Sequence, residues 1–509
     1  MRTSWFLRFV PCLVIVSLTA SAADWTTSGG DRSRTGLSAE IGPDTSTILW
    51  QGTLDGWFGA PIFISGDRLV TMRFQGIDYA PIVCHDLATG DTIWTRDFPG
   101  SQSRSVPIGF NDDRVYAMNF QELTTQKDTL YALDASDGHI LWTSPIRVNM
   151  SISESVSYAP DGDLLVTADS FRIARINATD GAVVWTTGRV WPVTGSADIV
   201  AWGDRLYAYG GDIGSFHLIS YDVATGIPQD TVTIRDTHPG GPMPQAAPMI
   251  GPDGTIYAHK VGDNVTAVRD FGDSLHVLWE AEISGTAPLY APFAHFAVGP
   301  DSTVYAASWG RIIRLDPATG TILDSSKFIQ DTSQVVFHIR ISIDAEGTVY
   351  ASSGGNPPTG GLYAFTPDLR LRWYDGVSRL NTCGPAIGPG GLLAVAGNGT
   401  QLRVYQPLTG IEERPYAYTR PAARAIPNPF RNSTSIRYEL RRPTSVSLTV
   451  CNIAGQEVQR LDLGNRPAGR HRFKWDGRDR KGLDLPPGVY LCRIDGGPAV
   501  QTVRLIRTN

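Results

Sequence analysis

Apolar and polar positions between Tyr131 and Trp142 fall into two short alternating runs around Asp137-Gly138. The pattern predicts a strand, a tight turn and a second strand ending on Trp142, because Asp-Gly tolerates the positive φ that a short hairpin needs. The same frame runs from Cys84 through Thr89-Gly90 to Trp94, and from Ala174 through Asp180-Gly181 to Trp185. In each copy the tryptophan stands four residues after the glycine.

Tryptophan also sets the period. Trp50, Trp94, Trp142 and Trp185 are separated by 44, 48 and 43 residues, and Trp279 and Trp373 follow at intervals of 94. Each long gap contains a copy that keeps its turn, at Thr225-Gly226 and Thr319-Gly320, but carries Asp230 or Asp324 in place of the tryptophan. A second series of hairpins lies between the first: Pro61–Thr71, Val106–Met118, Val156–Ala168, Ile199–Tyr209, Pro248–His259, Phe296–Ala307, Ile341–Ser352 and Ala386–Ala396. Four short strands per repeat at this spacing predict an all-β chain with an eight-bladed β-propeller over residues 23–418. Trp50, Trp94, Trp142, Trp185, Trp279 and Trp373 are the expected anchors of one blade against the next. The early strand Ile48-Leu49-Trp50 is expected to complete the last blade, closing the ring and removing a free edge.

The ends read differently. Residues 1–22 form a signal peptide: Arg2 and Arg8, an apolar run from Phe9 to Leu18, and an Ala20-Ser21-Ala22 cleavage site. No later run is long enough to span a bilayer, so the mature chain is expected to have no transmembrane segment. A Pro- and Ala-rich linker over 419–427 leads to a domain over 428–509. Its strands are read at Ser435–Leu440, Val446–Asn452, Arg470–Lys474, Gly488–Ile494 and Gln501–Ile506, which fits a small immunoglobulin-like β-sandwich. From Pro421 onward there are 16 Lys+Arg against 7 Asp+Glu, whereas the propeller holds 26 against 43. This asymmetry separates two domains. The basic residues alternate along strands without interleaved aromatics, so no nucleic-acid partner is expected. Of five cysteines Cys12 leaves with the leader; Cys451 with Cys492, and Cys84 with Cys383, are two pairings that the sequence leaves open.

Candidate chemistry is sparse. Loops leading into the innermost strands would converge on the axial funnel, and they bring Trp57, Arg104, Trp191, His238, Tyr290, His338 and Asn381. Such aromatic and cationic groups suit a planar or sugar-like ligand; the alternative is that the loop ends simply plug the channel. Acidic turns such as Asp161-Gly162-Asp163 lack the ligand spacing of a calcium loop, so no metal is expected. No nucleophile elbow, paired zinc histidines or phosphate loop is present, and no catalytic residue is named.

Ala132, Asp134, Gly138 and Trp142 fit the Ala-x-Asp-x-x-x-Gly-x-x-x-Trp pattern, and the repeat resembles the pyrroloquinoline-quinone-type propeller repeat. Proteins carrying it include quinone-dependent dehydrogenases and outer-membrane assembly scaffolds without cofactor. The vicinal cysteines of many such dehydrogenases, and the lipid attachment site of the scaffolds, are missing. Trp475-Asp476-Gly477, Asp479, Gly482 and Leu485, followed by Gly488-Val489-Tyr490, resemble the immunoglobulin-like domain of flagellar hook-capping proteins. They are similar also to type IX secretion sorting domains. The leader, and a complete repeat array without a catalytic constellation, lead us to expect an exported, non-enzymatic propeller without cofactor, placed at the cell surface, outside the cell or in the periplasm. It would present a face to a protein or glycan partner, with the C-terminal domain serving the secretion machinery or attachment. The alternatives are a dehydrogenase using pyrroloquinoline quinone with calcium, and a carbohydrate-binding or carbohydrate-active propeller.

Overall fold

The computed structural model describes residues 24–508 except 53–60, 74–80, 99–103, 112, 121–127, 149–154, 170–171, 189–198, 213–214, 235–246, 260–263, 284–292, 295, 309, 330–337, 355–360, 377–382, 398–400, 408–422, 427, 429, 441–443, 453–455, 467–468 and 496–499. It divides into two units, residues 1–416 and 417–509. The leader lies outside the described residues. Among the described residues no helix is long and apolar enough to cross a membrane.

In the first unit the described strands form eight sheets in chain order, antiparallel except where Phe293–Ala294 pairs parallel with His338–Ile343 of the seventh. The first is typical: Phe63–Ser65, Arg68–Met72, Ile82–Asp86 and Thr92–Arg96. Its first strand is buried along its length, and its fourth alternates between exposed positions and Trp94. First strands of neighbouring sheets touch at six of the eight junctions, including the return from Cys383–Ile387 to Phe63–Ser65; at the others Val156 donates to the Ile108 carbonyl at 2.7 Å, and Met249 shares a core with Phe296 and Val298. The sheets therefore form a closed ring of the β-propeller type. As the sequence predicts, Ile48–Gln51 pairs antiparallel with Arg403–Tyr405 and supplies the outer strand of the last sheet.

The repeated turn is not the two-residue hairpin that Asp-Gly suggests. In five repeats the glycine N–H donates to the carbonyl of the residue four positions earlier, at 2.8–2.9 Å. That earlier residue is Asp86, Asp134, Asn177, Asp222 or Asp316, whose side-chain oxygen accepts from backbone N–H groups two or three residues on. Only the glycine is left-handed, with φ of 71–78°. The aspartate caps the turn through its side chain, and the glycine turns the chain back.

That glycine has a second duty. The tryptophan of the preceding sheet lies on it: a Cβ at Gly90, Gly138, Gly181, Gly226 or Gly320 would come within 2.7 Å of the indole of Trp50, Trp94, Trp142, Trp185 or Trp279. Each of these indoles also donates Nε1–H to a carbonyl of the same turn, at 2.8–3.1 Å: Leu87, Ala135, Ala178, Val223 and Pro317. The tryptophan is thus the bolt and the next sheet's glycine turn the socket. Trp373 uses another acceptor, the carbonyl of Pro43, at 3.1 Å. Trp94, Trp142 and Trp279 are buried, and Trp50, Trp185 and Trp373 half-buried. Asp324 is paired with Arg314 at 3.2 Å, and Asp230 is half-buried.

The second unit is a two-sheet sandwich. One sheet orders Ala423–Ile426, Thr434–Leu440 and Gly469–Trp475; the other orders Glu457–Arg466, Thr444–Asn452, Gly488–Asp495 and Val500–Arg507. Between them lie Ile436, Leu448, Val450, Trp475, Tyr490 and Leu505. Two strands escape sequence reading. Ala423–Ile426 falls in the segment read as linker, but Ala425 alternates into the core and its neighbours pair with Thr434–Leu440. Glu457–Arg466 is hidden by its charge, although Val458, Leu461 and Leu463 pack on the core. Cys451 and Cys492 are free: Val450 stands opposite Cys492, one position out of step, which places the two cysteines on opposite faces. Cys84 is free and buried, its thiol pushed up to about 12 by desolvation, so the Cys84–Cys383 bridge does not form.

Candidate functional site

The segment from Asp24 to Pro43 carries no repeat, and the structure puts it where a propeller's channel would be. Trp25 exchanges two backbone hydrogen bonds with Ile64, at 2.7 and 3.0 Å. The carbonyls of Thr26, Ser33, Thr35 and Gly36 then accept from the N–H groups of Phe110, Ile250, Val298 and Ile343, at 2.7–3.3 Å. Each of these four partners lies within the last two residues of the first strand of its sheet. At these ends the strands have one row of N–H and C=O groups unpaired within their sheets, since Phe293–Ala294 pairs only with the start of His338–Ile343, and the segment pairs with that row at the axis.

Arg34 completes the ring of contacts. Its guanidinium donates to Ser28 Oγ, to Ser155 Oγ at 2.8 Å, to the Ser155 carbonyl at 2.9 Å and, through Nε, to the Ile199 carbonyl at 3.2 Å. These bonds tie the segment to the third and fourth sheets. Glu40 takes a backbone hydrogen bond from Gly390, and Gly391 leaves room for the Ile41 carbonyl, which reaches the eighth. One segment of about twenty residues therefore touches all eight sheets. A local turn shapes it: Asp31 accepts from the N–H groups of Ser33 and Thr35, both at 3.0 Å, and from Thr35 Oγ1 at 2.9 Å. Burial raises the Asp31 carboxyl above its ordinary range despite these bonds. Gly36, at φ 64°, brings the strap against Ala297, where a Cβ would clash.

Beside the strap lies a small cavity of about 10 Å³ lined by Trp25, Ser28, Pro61, Ile62, Arg340 and Pro385. It has room for about one water. The predicted funnel residues are not brought together among the described residues. Trp57, Trp191, His238, Tyr290 and Asn381 lie outside them; Arg104 and His338 each open the first strand of a sheet, with side chains not described.

Carboxylates gather instead on the outer turns. Asp134, Asp137 and His139 have ligand atoms within 4.8 Å of one another. These atoms already serve the turn: Asp134 accepts from Ser136 N–H at 2.7 Å, and Asp137 accepts from His139 N–H at 3.0 Å and contacts Nδ1 at 2.6 Å. The bonds from His139 hold the Asp137 carboxyl below its usual range. Elsewhere an arginine clamps the turn carboxylate, as Arg269 does Asp253 and Arg314 does Asp301, both at 2.8 Å. A quinone with calcium needs a planar slot and oxygen ligands in one place. The described residues put a cavity for about one water beside the strap and the carboxylate cluster on an exposed turn, and most of the loops expected to line the funnel lie outside them.

Residues 78–325 match the family of the outer membrane protein assembly factor BamB, and residues 430–496 match the FlgD Ig-like domain. The first unit is a β-propeller with PQQ-type repeats over residues 78–325, and the second unit contains a FlgD Ig-like domain. The propeller is similar to the crystal structure of BamB from Moraxella catarrhalis: 17% identity and a TM-score of 0.51, covering 71% of this chain and 99% of that one. The quinohemoprotein alcohol dehydrogenase of Comamonas testosteroni aligns with 11% identity and a TM-score of 0.42, over 93% of this chain and 83% of that one. The basal-body rod modification protein FlgD of Salmonella typhimurium is 34% identical over 64 residues, which is 12% of this chain and 28% of that protein. The propeller with its filled axis thus shares the BamB fold, and the axial strap is the part that sequence reading missed. No repeat, motif or alternation in Asp24 to Pro43 points to the strap.

Proposed function

We propose that this protein is an exported interaction scaffold whose propeller presents the loops leading into the first strands to a protein or glycan partner. The carrying observation is the strap: the chain's own N-terminal segment pairs with the inner edges and fills the axis from the opposite end. Filling the axis supports a surface function over one that needs a deep cofactor slot. The match to an assembly-factor family supports the same reading and fits an exported or periplasmic place. The immunoglobulin-like domain then serves secretion or attachment, which its likeness to a FlgD domain leaves compatible.

The test has two arms. Affinity capture from envelope extracts should retain the same partner on the wild type and on Asp137→Asn, an outer-turn control, and lose it on Trp57→Ala/Trp191→Ala. Retention by the double variant would refute the proposed face. Purified protein given pyrroloquinoline quinone, calcium, an electron-accepting dye and a panel of alcohols and sugars should show no turnover; dye reduction would overturn the scaffold reading in favour of a dehydrogenase.

A further inference from the structure

Two junctions of the ring lack the tryptophan bolt, and one of them departs from the repeat in a second way. In the fourth sheet Asp230 stands in the tryptophan's place, and the turn it would cover, residues 270–274 of the fifth sheet, has no socket: a Cβ on Gly272 would meet nothing. Tyr207 Oη donates instead to Asp270 at 2.9 Å, and Arg205 to the Gly272 carbonyl at 2.6 Å. In the bolted turns the residue after the capping aspartate lies under the indole, and Leu87, Ala135 and Val223 are buried there. Phe271 holds that position in the fifth sheet and is 63% exposed. The residue after the socket glycine is polar or small in other sheets, namely Asp91, His139, Ala182 and Thr321; in the fourth it is Ile227, 57% exposed.

Both departures fall on one rim. The Ile227 carbonyl accepts from Asp222, which stands opposite Arg205, and Arg205 reaches Gly272 beside Phe271. Single exposed aliphatics are normal on a protein surface, whereas apolar residues gathered where the repeat puts buried or polar ones mark a contact. The arginines of this rim are taken, Arg205 lying 3.9 Å from Asp270 and Arg269 2.8 Å from Asp253. Asp204 and Asp273 are exposed and enter no ion pair among the described residues. An aliphatic tip with uncompensated bases fits such a rim.

The C-terminal domain carries one. Asp479 accepts from the N–H groups of Lys481 and Leu483, both at 2.9 Å, Gly482 is left-handed at φ 80°, and Arg480 N–H donates to the Val458 carbonyl at 3.0 Å. This turn leaves Leu483 64% exposed beside exposed Arg480 and Lys481. The acids nearby, Asp476 and Asp484, face Arg478 and Arg507 at 3.2–4.0 Å; Arg480 and Lys481 enter no ion pair among the described residues. We infer that this tip docks on the fourth–fifth rim of a second copy, Leu483 against Phe271 and Ile227, and the two bases against Asp204 and Asp273. The chain supplies both complements, with 26 Lys+Arg against 43 Asp+Glu in the propeller and 16 against 7 from Pro421 onward. Tip and rim differ, so the contact is heterologous and joins copies head to tail. The rim lies at the opposite end of the sheets from the loops proposed to meet a partner, so the two readings fail separately.

Sedimentation velocity of the full mature chain tests it. Mass should rise with protein concentration and fall as salt is added, because the paired charges are exposed. Phe271→Ser/Ile227→Ser and Leu483→Ser should each weaken association about tenfold or more. Phe328→Ser, which removes the exposed phenylalanine of the sixth sheet, should leave it unchanged. Arg480→Glu/Lys481→Glu and Asp204→Lys/Asp273→Lys should each be monomeric alone, and a mixture of the two should associate, since each then offers the other an opposite charge. A wild type that stays monomeric at every concentration, association that survives the Phe271/Ile227 or Leu483 variants, or a mixture that stays monomeric would overturn the inference. All variants should melt with the wild type, as every altered side chain is exposed. A lower melting temperature for Phe271→Ser/Ile227→Ser would give those residues a place in the fold and overturn it too.

Discussion

Trp142 and Gly181 show how a single residue pair joins two sheets. The indole is buried, donates to the Ala178 carbonyl at 3.1 Å and covers a glycine whose Cβ would lie 2.5 Å from the ring. Trp142→Ala should cost about 3–5 kcal/mol by urea unfolding, as large aromatic deletions in cores do. Gly181→Ala should cost about 1–3 kcal/mol from its left-handed backbone and the clash. The double variant should cost less than the sum, since removing the indole removes the clash. Additive losses would mean that the two do not meet. Asp31 gives a pH-dependent case. Burial raises its pKa, so its contribution to stability is greatest below the ordinary carboxylate range and is lost as pH rises through the raised value. Asp31→Asn keeps an acceptor for Ser33 and Thr35 without the buried charge. Its urea midpoint should therefore exceed that of wild type at pH 7, and the difference should shrink towards pH 4. A variant destabilised more at pH 7 than at pH 4 would show that the charge itself holds the turn.

At the scale of elements, the inner and outer edges of the sheets are protected differently. All eight described outer strands have a register shift against their neighbour at one equivalent place, for example between Cys84 and His85, Ala132 and Leu133, or Ala364 and Phe365. Exposed aliphatics such as Ile93, Leu141, Val184, Leu278 and Leu323 sit beside these shifts. Bulges bend an edge away from flat pairing, which limits strand addition there. The inner edges are paired by the strap instead. A chain starting at Glu40 should therefore melt well below the mature protein, and a synthetic peptide of residues 24–39 should restore the lost stability in trans. Failure of the peptide to bind would make the strap a passenger. Arg34→Ala, which strips donors from the Ser155 and Ile199 carbonyls, should cost about 2–3 kcal/mol.

For the whole molecule, ring and tail have separate cores. Deleting Ala417 to Asn509 should leave a propeller that melts within a few degrees of the parent, because its ring is closed by Ile48–Gln51 and not by the tail. If the tail directs secretion or attachment, the truncated protein should accumulate in the periplasm, read by cell fractionation. Loss of propeller folding would refute the independence of the two units; unchanged location with intact folding would remove the sorting role alone.

The period of the tryptophans, the glycine four residues before them and the early strand for closure were all legible in the chain, because each is a local pattern repeated often enough to outweigh chance. The positive φ of Gly138 was legible too, but not the turn it serves: Asp134 sets that through its side chain, and a dipeptide carries no record of a hydrogen bond from three residues away. Alternation located five strands of the tail and missed Ala423–Ile426, where small and charged residues give little hydrophobic contrast. The strap from Asp24 to Pro43 lay beyond sequence reading altogether. Its partners, from Ile64 to Gly391, are spread over more than three hundred residues, and only ring closure brings their free edges to one axis.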